Sequence, residues 1–117
     1  MKSDDYCSYY GGFIVSKNIL SGVPIKYSYR EKSTIQQLNG WNFYSAKDDN
    51  NYVNNSENFV ILGVGSIQKI APVILEIFDA PYGTDLCWLY EEGVHIGFYD
   101  LKSNREVSID DILKKHE

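Results

Sequence analysis

The sequence is poor in the residues that build metal centres and disulfide frameworks. It holds two cysteines, Cys7 and Cys87, and two histidines, His95 and His116. Neither cysteine stands in a Cys-x-x-Cys arrangement or near a histidine at ligand spacing, so the usual zinc patterns are missing. We therefore expect no metal site, and two reduced thiols rather than a disulfide, because cytosolic proteins keep their cysteines reduced.

Positive charge is also scarce. The chain carries 11 basic residues against 16 acidic ones, a formal net charge of -5, and it has no clustered basic stripe. Nucleic-acid-binding proteins usually show the opposite balance, so we expect no direct contact with DNA or RNA. An acidic surface instead suits a basic protein partner, because complementary potentials speed the encounter.

Long apolar runs are missing as well. No stretch approaches the ~18 consecutive apolar residues that a membrane span needs, and the longest candidate lies around residues 73–78. The first residues include Asp4 and Asp5, where a secretion signal would be basic and then apolar. We expect a cytoplasmic protein without a membrane segment.

Apolar and aromatic residues are plentiful. Hydrophobic residues make up 44% of the chain, and there are ten Tyr, five Phe and two Trp. A chain of 117 residues with this composition can bury one core but not two, so we expect a single domain over residues 1–117. Tyr is favoured in interfaces, although for Tyr27, Tyr29 and Tyr99 we favour the lining of a half-hydrated sheet face.

Apolar runs and period-two alternation predict the strands of a sheet. The clearest strand covers residues 25–30, where apolar and polar side chains alternate. In the strand over residues 41–45, Trp41 and Phe43 share one face and should anchor the core. The other strands are predicted at residues 12–15, 59–64, 85–90 and 94–99, the last two forming a hairpin across Glu91-Glu92-Gly93.

Short helices are predicted around these strands. Ser66 has the features of an N-cap for a helix that begins at Ile67, and Pro72 suits the start of a second helical piece. Ser108 opens a short terminal helix with the features of a capping box. The predicted fold class is α+β: a single domain with an antiparallel-rich β-sheet and a few short helices packed on one face.

Residues 46–58 are crowded with Asp and Asn and are predicted to form an exposed loop without a packed element. The run Asp48-Asp49-Asn50-Asn51 has the oxygen ligands that calcium prefers. An EF-hand loop, however, needs acids at alternate positions, a Gly at its sixth position and a Glu at its twelfth. A calcium site is therefore disfavoured, and a solvated loop and a partner-binding loop both remain open.

The sequence has no catalytic pattern of its own. Glu91 and Glu92 are neighbours that would point to opposite faces of a strand, and Asp79 is better placed to accept backbone N–H groups across its turn. His95 has no nucleophile in a recognisable setting, and no Gly-x-Ser-x-Gly elbow occurs. We predict no catalytic residue, no cofactor and no enzymatic activity.

Several short segments, taken in order, resemble a known family. They are Gly11-Gly12-Phe13-Ile14-Val15-Ser16-Lys17, Tyr29-Arg30-Glu31, Gly40-Trp41-Asn42-Phe43-Tyr44-Ser45, Asp48-Asp49-Asn50-Asn51-Tyr52, Asn58-Phe59, Ser66-Ile67 and Phe78-Asp79-Ala80-Pro81-Tyr82-Gly83. The set spans residues 11–83. It resembles the bacterial DUF2185 family, also called Imm33-like immunity proteins.

The resemblance implies an inhibitor carried beside a toxin gene, as in polymorphic toxin and toxin–antitoxin systems. Such a protein binds its cognate toxin and occludes it without catalysis, and the acidic charge favours a basic, nuclease-like toxin. In this role Asp48 and Asp49 would face Arg or Lys of the toxin, and Tyr52 would supply an aromatic contact. Trp41 and Tyr82 complete the predicted partner-binding set. The toxin's identity and the oligomeric state are left open.

Two other functions remain as alternatives. One is a small-molecule or peptide-binding accessory domain, in which the sheet and residues 46–58 form a ligand cleft. The other is a small hydrolase, which would need Asp79, Glu91, Glu92 or His95 to converge in one pocket.

Overall fold

The computed structural model describes residues 10–113, and their central feature is one seven-stranded sheet. Its strands lie in the order β4-β1-β3-β2-β5-β6-β7. Strands β1 and β3 are parallel, and every other neighbouring pair in the sheet is antiparallel. The strands are β1 (Gly12–Ser16), β2 (Ile25–Arg30), β3 (Leu38–Ser45), β4 (Phe59–Leu62), β5 (Asp85–Glu91), β6 (Val94–Asp100) and β7 (Arg105–Val107).

Short helices connect these strands. They are α1 (Lys17–Leu20), α2 (Asn50–Val53), α3 (Val64–Ile70), α4 (Val73–Glu76) and α5 (Ile109–Leu113), with a 3-10 turn at Ser56–Asn58. Within residues 10–113, every helix that contributes a buried side chain adds it to the same core on one side of the sheet. The predicted α+β class, an antiparallel-rich sheet with a few short helices, is confirmed. Helix α2 is the exception to the predicted packing on one face, since it buries no side chain and Val53 borders the other face beside Tyr44.

The strand register divides the side chains between two faces. The face under the helices carries the large buried residues, and Trp41 stacks on Phe43 with 5.7 Å between ring centroids. Trp88 of β5 meets Phe43 edge-on, and its indole Nε1 donates to Ser28 Oγ at 2.9 Å. The prediction that Trp41 and Phe43 share one face and anchor the core is confirmed, since both are fully buried.

Several predicted element boundaries are wrong, including the end of β4, which stops at Leu62 rather than at residue 64. Helix α3 begins at Val64 rather than after Ser66, because the Gly63 carbonyl already accepts hydrogen bonds from the amides of Ser66 and Ile67. Burial of Val64 against the core holds this earlier start in place. Strand β3 begins at Leu38, three residues before the predicted strand, because Leu38 already pairs with Gly12 of β1.

The predicted break at Pro72 and the predicted hairpin are both present. Ala71 is extended between α3 and α4, so the helical region forms two pieces. Strands β5 and β6 form a hairpin, but Glu91 still pairs with Val94 within it. The turn is therefore two residues long, Glu92 and Gly93, with φ of 52° and 81°. Positive φ at both positions is typical of tight hairpin turns.

The capping box at the last helix is confirmed. The amide of Asp111 donates to Ser108 Oγ and the amide of Ser108 donates to Asp111 Oδ2, both at 3.1 Å. Among residues 10–113, no helix is long and apolar enough to cross a membrane. Cys7 and His116 lie outside the described residues, and the described cysteine, Cys87, is half-buried on β5.

Candidate binding surface

The second face of the sheet carries a row of half-buried aromatic side chains, which we call the tyrosine face. Tyr27 and Tyr29 of β2 point to this side, and the register places them opposite Tyr44 and Asn42 of β3 and opposite Cys87 and Asp85 of β5. The register also places Tyr99 of β6 on this face, and it places Ile14 of β1 opposite Ile61 of β4. As expected for Tyr27, Tyr29 and Tyr99, these rings line a half-hydrated sheet surface.

Three tyrosines form the centre of this face. The ring centroids of Tyr27, Tyr29 and Tyr44 lie 5.6 to 5.7 Å apart, and the Tyr29 and Tyr44 hydroxyls are 3.1 Å apart. Partial burial raises the pKa of Tyr27, and the nearby carboxylate of Asp85 raises it further. Burial and the hydrogen bond to Tyr44 raise the pKa of Tyr29. Tyr27 and Tyr29 are therefore neutral at physiological pH, and the three rings pack as one group.

Residues 46–58 lie at one end of the tyrosine face, and they are more ordered than the sequence predicts. The Tyr52 hydroxyl donates to the Asn58 carbonyl at 3.2 Å and accepts from the Asn18 amide at 3.2 Å. Its ring contacts Phe59, which in turn packs on Tyr44. The prediction of a loop without a packed element is wrong here. Tyr52 holds helix α2 and the 3-10 turn against Asn18 of α1 and, through a hydrogen bond from Ser16 Oγ at 3.3 Å, against the end of β1.

Asp48 and Asp49 of the predicted set both accept hydrogen bonds from nearby backbone amides. The Asp48 carboxylate accepts from the Ser45 amide at 2.8 Å, from the Ser45 hydroxyl and from Asn18 Nδ2 at 2.9 Å. Burial would raise the pKa of Asp48, but the hydrogen bonds from Ser45 and Asn18 outweigh it and hold the pKa below its ordinary value. Asp49 is exposed and caps helix α2 by accepting from the Tyr52 amide at 2.8 Å.

Trp41 and Tyr82 belong to a second arrangement, centred on Arg30 of β2. The Arg30 guanidinium donates to the carbonyls of Asn39, Phe78 and Ala80 at 3.0, 2.6 and 2.9 Å. It lies over the Tyr82 ring at 4.9 Å, and burial lowers the pKa of Arg30 against the opposing effects of Tyr82 and Asp79.

The turn between α4 and β5 is fixed by backbone carbonyls and not by Asp79. Trp41 Nε1 also donates to the Phe78 carbonyl, and Thr84 Oγ1 donates to the Pro81 carbonyl at 2.7 Å. Asp79 is exposed, and among residues 10–113 no hydrogen bond to its carboxylate joins this network. The predicted N–H contacts of Asp79 are therefore absent, because the Arg30 side chain fills that role.

The five predicted partner-binding residues do not form one patch. Trp41 is fully buried in the core and has no surface for a partner, while Tyr82 is 56% exposed. Asp48, Asp49 and Tyr52 lie beyond the end of the sheet where Ile25 pairs with Ser45, and Tyr82 lies at the end where Arg30 pairs with Trp41. Five residues of strand separate these ends by about 16 Å.

A comparison of the chain with known protein families supports the resemblance carried by the segments within residues 11–83. Residues 13–97 match the immunity protein Imm33 domain. The chain belongs to the Imm33 immunity protein family. The match extends beyond the expected residues 11–83 and takes in β5 and most of β6, so the Imm33 region includes the tyrosine face from β1 to Gly97. No curated protein and no solved structure matches the chain.

Of the residues that a hydrolase would need, Glu91, Glu92 and His95 lie at the β5–β6 hairpin. Asp79 lies in a different turn. His95 lies on the helix side of the sheet, 4.6 Å from the Trp88 ring and 4.8 Å from the Phe98 ring, and burial lowers its pKa. Glu91 ends β5 and Glu92 forms the hairpin turn, while Asp79 lies in the turn between α4 and β5. Among residues 10–113, no group of His, Cys, Asp and Glu could hold a metal ion.

A groove borders the tyrosine face beside residues 46–58. It has a volume of about 520 Å³ and its apolar walls include Ile14, Tyr44, Val53, Phe59 and Ile61. Tyr44 and Asp85 were not among the predicted partner-binding residues. The alternation of tyrosines in β2 indicated an aromatic sheet face. Only the strand register shows which residues of β3 and β5 lie beside these tyrosines.

Proposed function

We propose that this Imm33 protein binds a cognate bacterial toxin in the cytoplasm and neutralises it by covering the toxin's active site, without catalysis. Family membership supports an immunity role, and the observation that carries the proposal is the tyrosine face. Rigid aromatic rings supply contact area at low conformational cost, which is why they are enriched at the centres of protein interfaces.

The position of residues 46–58 supports a contact that extends beyond the tyrosine face. This segment borders the face through the Tyr52–Phe59–Tyr44 contacts, so a toxin seated on the rings would also meet the exposed carboxylate of Asp49. We assign Asp48 and Tyr52 the role of holding the segment in place. Trp41 would support the same surface from the core. Tyr82 is a separate exposed contact at the other end of β2.

The test is co-expression with the toxin domain encoded beside this gene, followed by growth and affinity measurements. Tyr44→Ala removes the ring that joins Tyr27, Tyr29 and Phe59, and we expect binding to weaken by about tenfold or more. Asp49→Asn removes the charge but keeps a residue that caps helices equally well, so a loss of affinity reports the charge itself. Glu76→Gln, an exposed change on α4, is the matched control.

Two results would overturn the proposal. One is the absence of binding between the wild-type protein and that toxin domain. The other is a toxin that stays fully active when saturated with the protein, since occlusion requires loss of activity on binding. Equal affinity of the wild type and the Tyr44→Ala variant would leave the immunity role in place and remove the tyrosine face from the interface.

A second candidate function rests on the groove of about 520 Å³ between the sheet and residues 46–58. Its volume lies within the range of small-molecule sites, and its walls are largely apolar, as in most such sites. In this function the protein would be an accessory domain that binds a small molecule or peptide. A ligand that binds in the groove, and loses affinity in an Ile14→Asp variant but not in Glu76→Gln, would establish it.

A further inference from the structure

We infer that a small notch on the tyrosine face receives a lysine or arginine side chain of the toxin. The notch lies between β2 and β5, and Tyr27, Tyr29, Asp85 and Lys102 are among the residues that line it. This inference rests on the proposed function, because it names the chemistry of the partner at that surface.

The size of the notch limits what it can hold. Its volume is about 150 Å³, well below the ~300 Å³ at which drug-sized ligand pockets begin. A single side chain from a docked protein fits such a space, and a typical cofactor or metabolite does not. The occupant is therefore part of a larger partner.

Four charged residues line the notch, namely Arg30, Glu31, Asp85 and Lys102. The Arg30 guanidinium is held by the carbonyls of Asn39, Phe78 and Ala80, so the two carboxylates are the groups that favour a cation.

Asp85 stands opposite Tyr29 across the β2–β5 pair. The Tyr27 side chain hydrogen-bonds to the Asp85 carboxylate, while the Oδ1 atom of Asp85 is buried without a hydrogen-bond partner. A buried carboxylate oxygen without a partner is costly, and an ammonium or guanidinium group is the donor that satisfies it best. Glu31 adds a second negative charge close to Tyr27 and Tyr29.

The aromatic rings favour the same occupant. Tyr27 and Tyr29 lie 5.6 Å apart with their planes tilted by 35°. A cation held against such ring faces gains a further electrostatic attraction to their π-systems. A basic side chain that leaves water thus finds the contacts it needs in the notch. They are the two tyrosine rings, the Asp85 Oδ1 atom and a second carboxylate, that of Glu31.

Removal of Lys102 should change the affinity for the toxin in the direction opposite to removal of the Asp85 charge. Lys102 is exposed, lies in the turn after β6 and lines the notch, with its Nζ atom beside Gly83. Within residues 10–113, no ion pair joins Lys102 to Asp85. Its positive charge repels an incoming cation, so its removal should strengthen binding, whereas removal of the Asp85 charge should weaken it.

The first experiment measures the affinity of the toxin domain encoded beside this gene for four proteins. We expect Asp85→Asn to weaken binding about tenfold or more, and Lys102→Met to tighten it by a few-fold. Asp110→Asn, which removes the same unit of charge on α5 beyond the far edge of the sheet, should bind like the wild type. Thermal melting confirms that each variant is folded.

The outcomes separate this inference from the proposed function. Suppose that the wild type binds and suppresses the toxin but Asp85→Asn and Lys102→Met bind equally well. The immunity role then stands, and the proposal that the notch receives a basic side chain is wrong. The proposed role of the notch is also contradicted if Asp110→Asn weakens binding as much as Asp85→Asn, because the change in net charge alone would then explain both results.

The second experiment needs no toxin. Nα-acetyl-lysine methylamide and its neutral norleucine counterpart are titrated into the labelled protein, and amide shifts are followed by NMR. We expect saturable shifts around Tyr27, Tyr29 and Asp85 with the lysine probe only, and their loss in Asp85→Asn. Equal shifts with norleucine, or no shifts in the wild type, would overturn the inference. Self-association through this face, seen as concentration-dependent shifts without any probe, would also overturn it.

Discussion

Asp48 is held by three donors on two segments of the chain. Its carboxylate accepts hydrogen bonds from the Ser45 amide and hydroxyl and from the side chain of Asn18. These bonds join the end of β3 to helix α1, and they favour the ionised form of the carboxyl group. The residue therefore stabilises the base of residues 46–58 whether or not a partner is bound.

Asp48→Asn is expected to lower the free energy of unfolding by about 1–2 kcal/mol near neutral pH, because the amide cannot accept every donor that the carboxylate accepts. The pKa of Asp48 is lowered in the folded state. Its contribution is therefore present above the unfolded pKa of about 3.9 and is lost as the pH falls through the lower folded pKa. Urea unfolding as a function of pH measures both effects.

The control for this prediction is Asp49→Asn. Asparagine caps helices as well as aspartate does, so this variant should match the wild type closely in stability. A gap between the wild type and Asp48→Asn that stays constant from neutral to strongly acidic pH would contradict the prediction, since that gap should close once the wild-type carboxylate is protonated.

The turn between α4 and β5 depends on a side chain from a distant strand. Arg30 of β2 binds the carbonyls of Phe78 and Ala80, and its own backbone bonds to Gly83 and Thr84. Arg30 therefore links the helical region to the sheet at the point where β5 begins.

Arg30→Met is expected to destabilise the protein by about 2–4 kcal/mol, because the carbonyls of Asn39, Phe78 and Ala80 each lose a donor. Of these, the Phe78 carbonyl keeps the donor of Trp41. Denaturant unfolding monitored by tryptophan fluorescence measures the change, since Trp41 lies beside this network. Arg105→Met removes an exposed arginine whose ion pair with Asp111 spans 3.9 Å, and such surface pairs contribute about 0–1 kcal/mol. Equal losses in the two variants would contradict the structural role of Arg30.

Element by element, local signals predicted the centres of strands and helices better than their ends. The alternation in β2 and the apolar character around Trp41 were sufficient to place those strands. The start of α3 was missed because Ser66 is a good N-cap by residue type, while the burial of Val64 decided the boundary. The structural role of Tyr52 could not be predicted, since only the tertiary structure brings its hydroxyl to Asn18 and Asn58.

At the scale of the whole molecule, charge and surface shape favour one kind of partner. The chain has a formal net charge of -5, and its tyrosine face holds Asp85 with Asp49 at the border. The fold class and the absence of a basic stripe could be predicted from composition and alternation. The location of the face could not, because it depends on the strand order, which places β2 between β3 and β5.

The association rate with the cognate toxin is expected to fall as salt is raised. Between about 0.05 M and about 0.5 M ionic strength the rate constant should drop by roughly tenfold or more, because salt screens the long-range attraction of opposite charges. Stopped-flow fluorescence measures this rate, and the dissociation rate serves as the internal control because it should change much less. A salt-independent association rate would contradict an oppositely charged partner.

The strand order also has a consequence for synthesis on the ribosome. Strand β1 is first in the chain, yet it lies between β3 and β4, and Tyr29 of β2 pairs with Asp85 of β5. Tyr29 therefore cannot pair with Asp85 until β5 has been translated. Because ribosomes add about 5–20 residues per second, this takes seconds after β2 is made. The core is completed later still, by Phe98, Val107 and Ile112. In the proposed function, only chains translated as far as Ile112 can protect the cell, so the time of synthesis sets how soon protection begins.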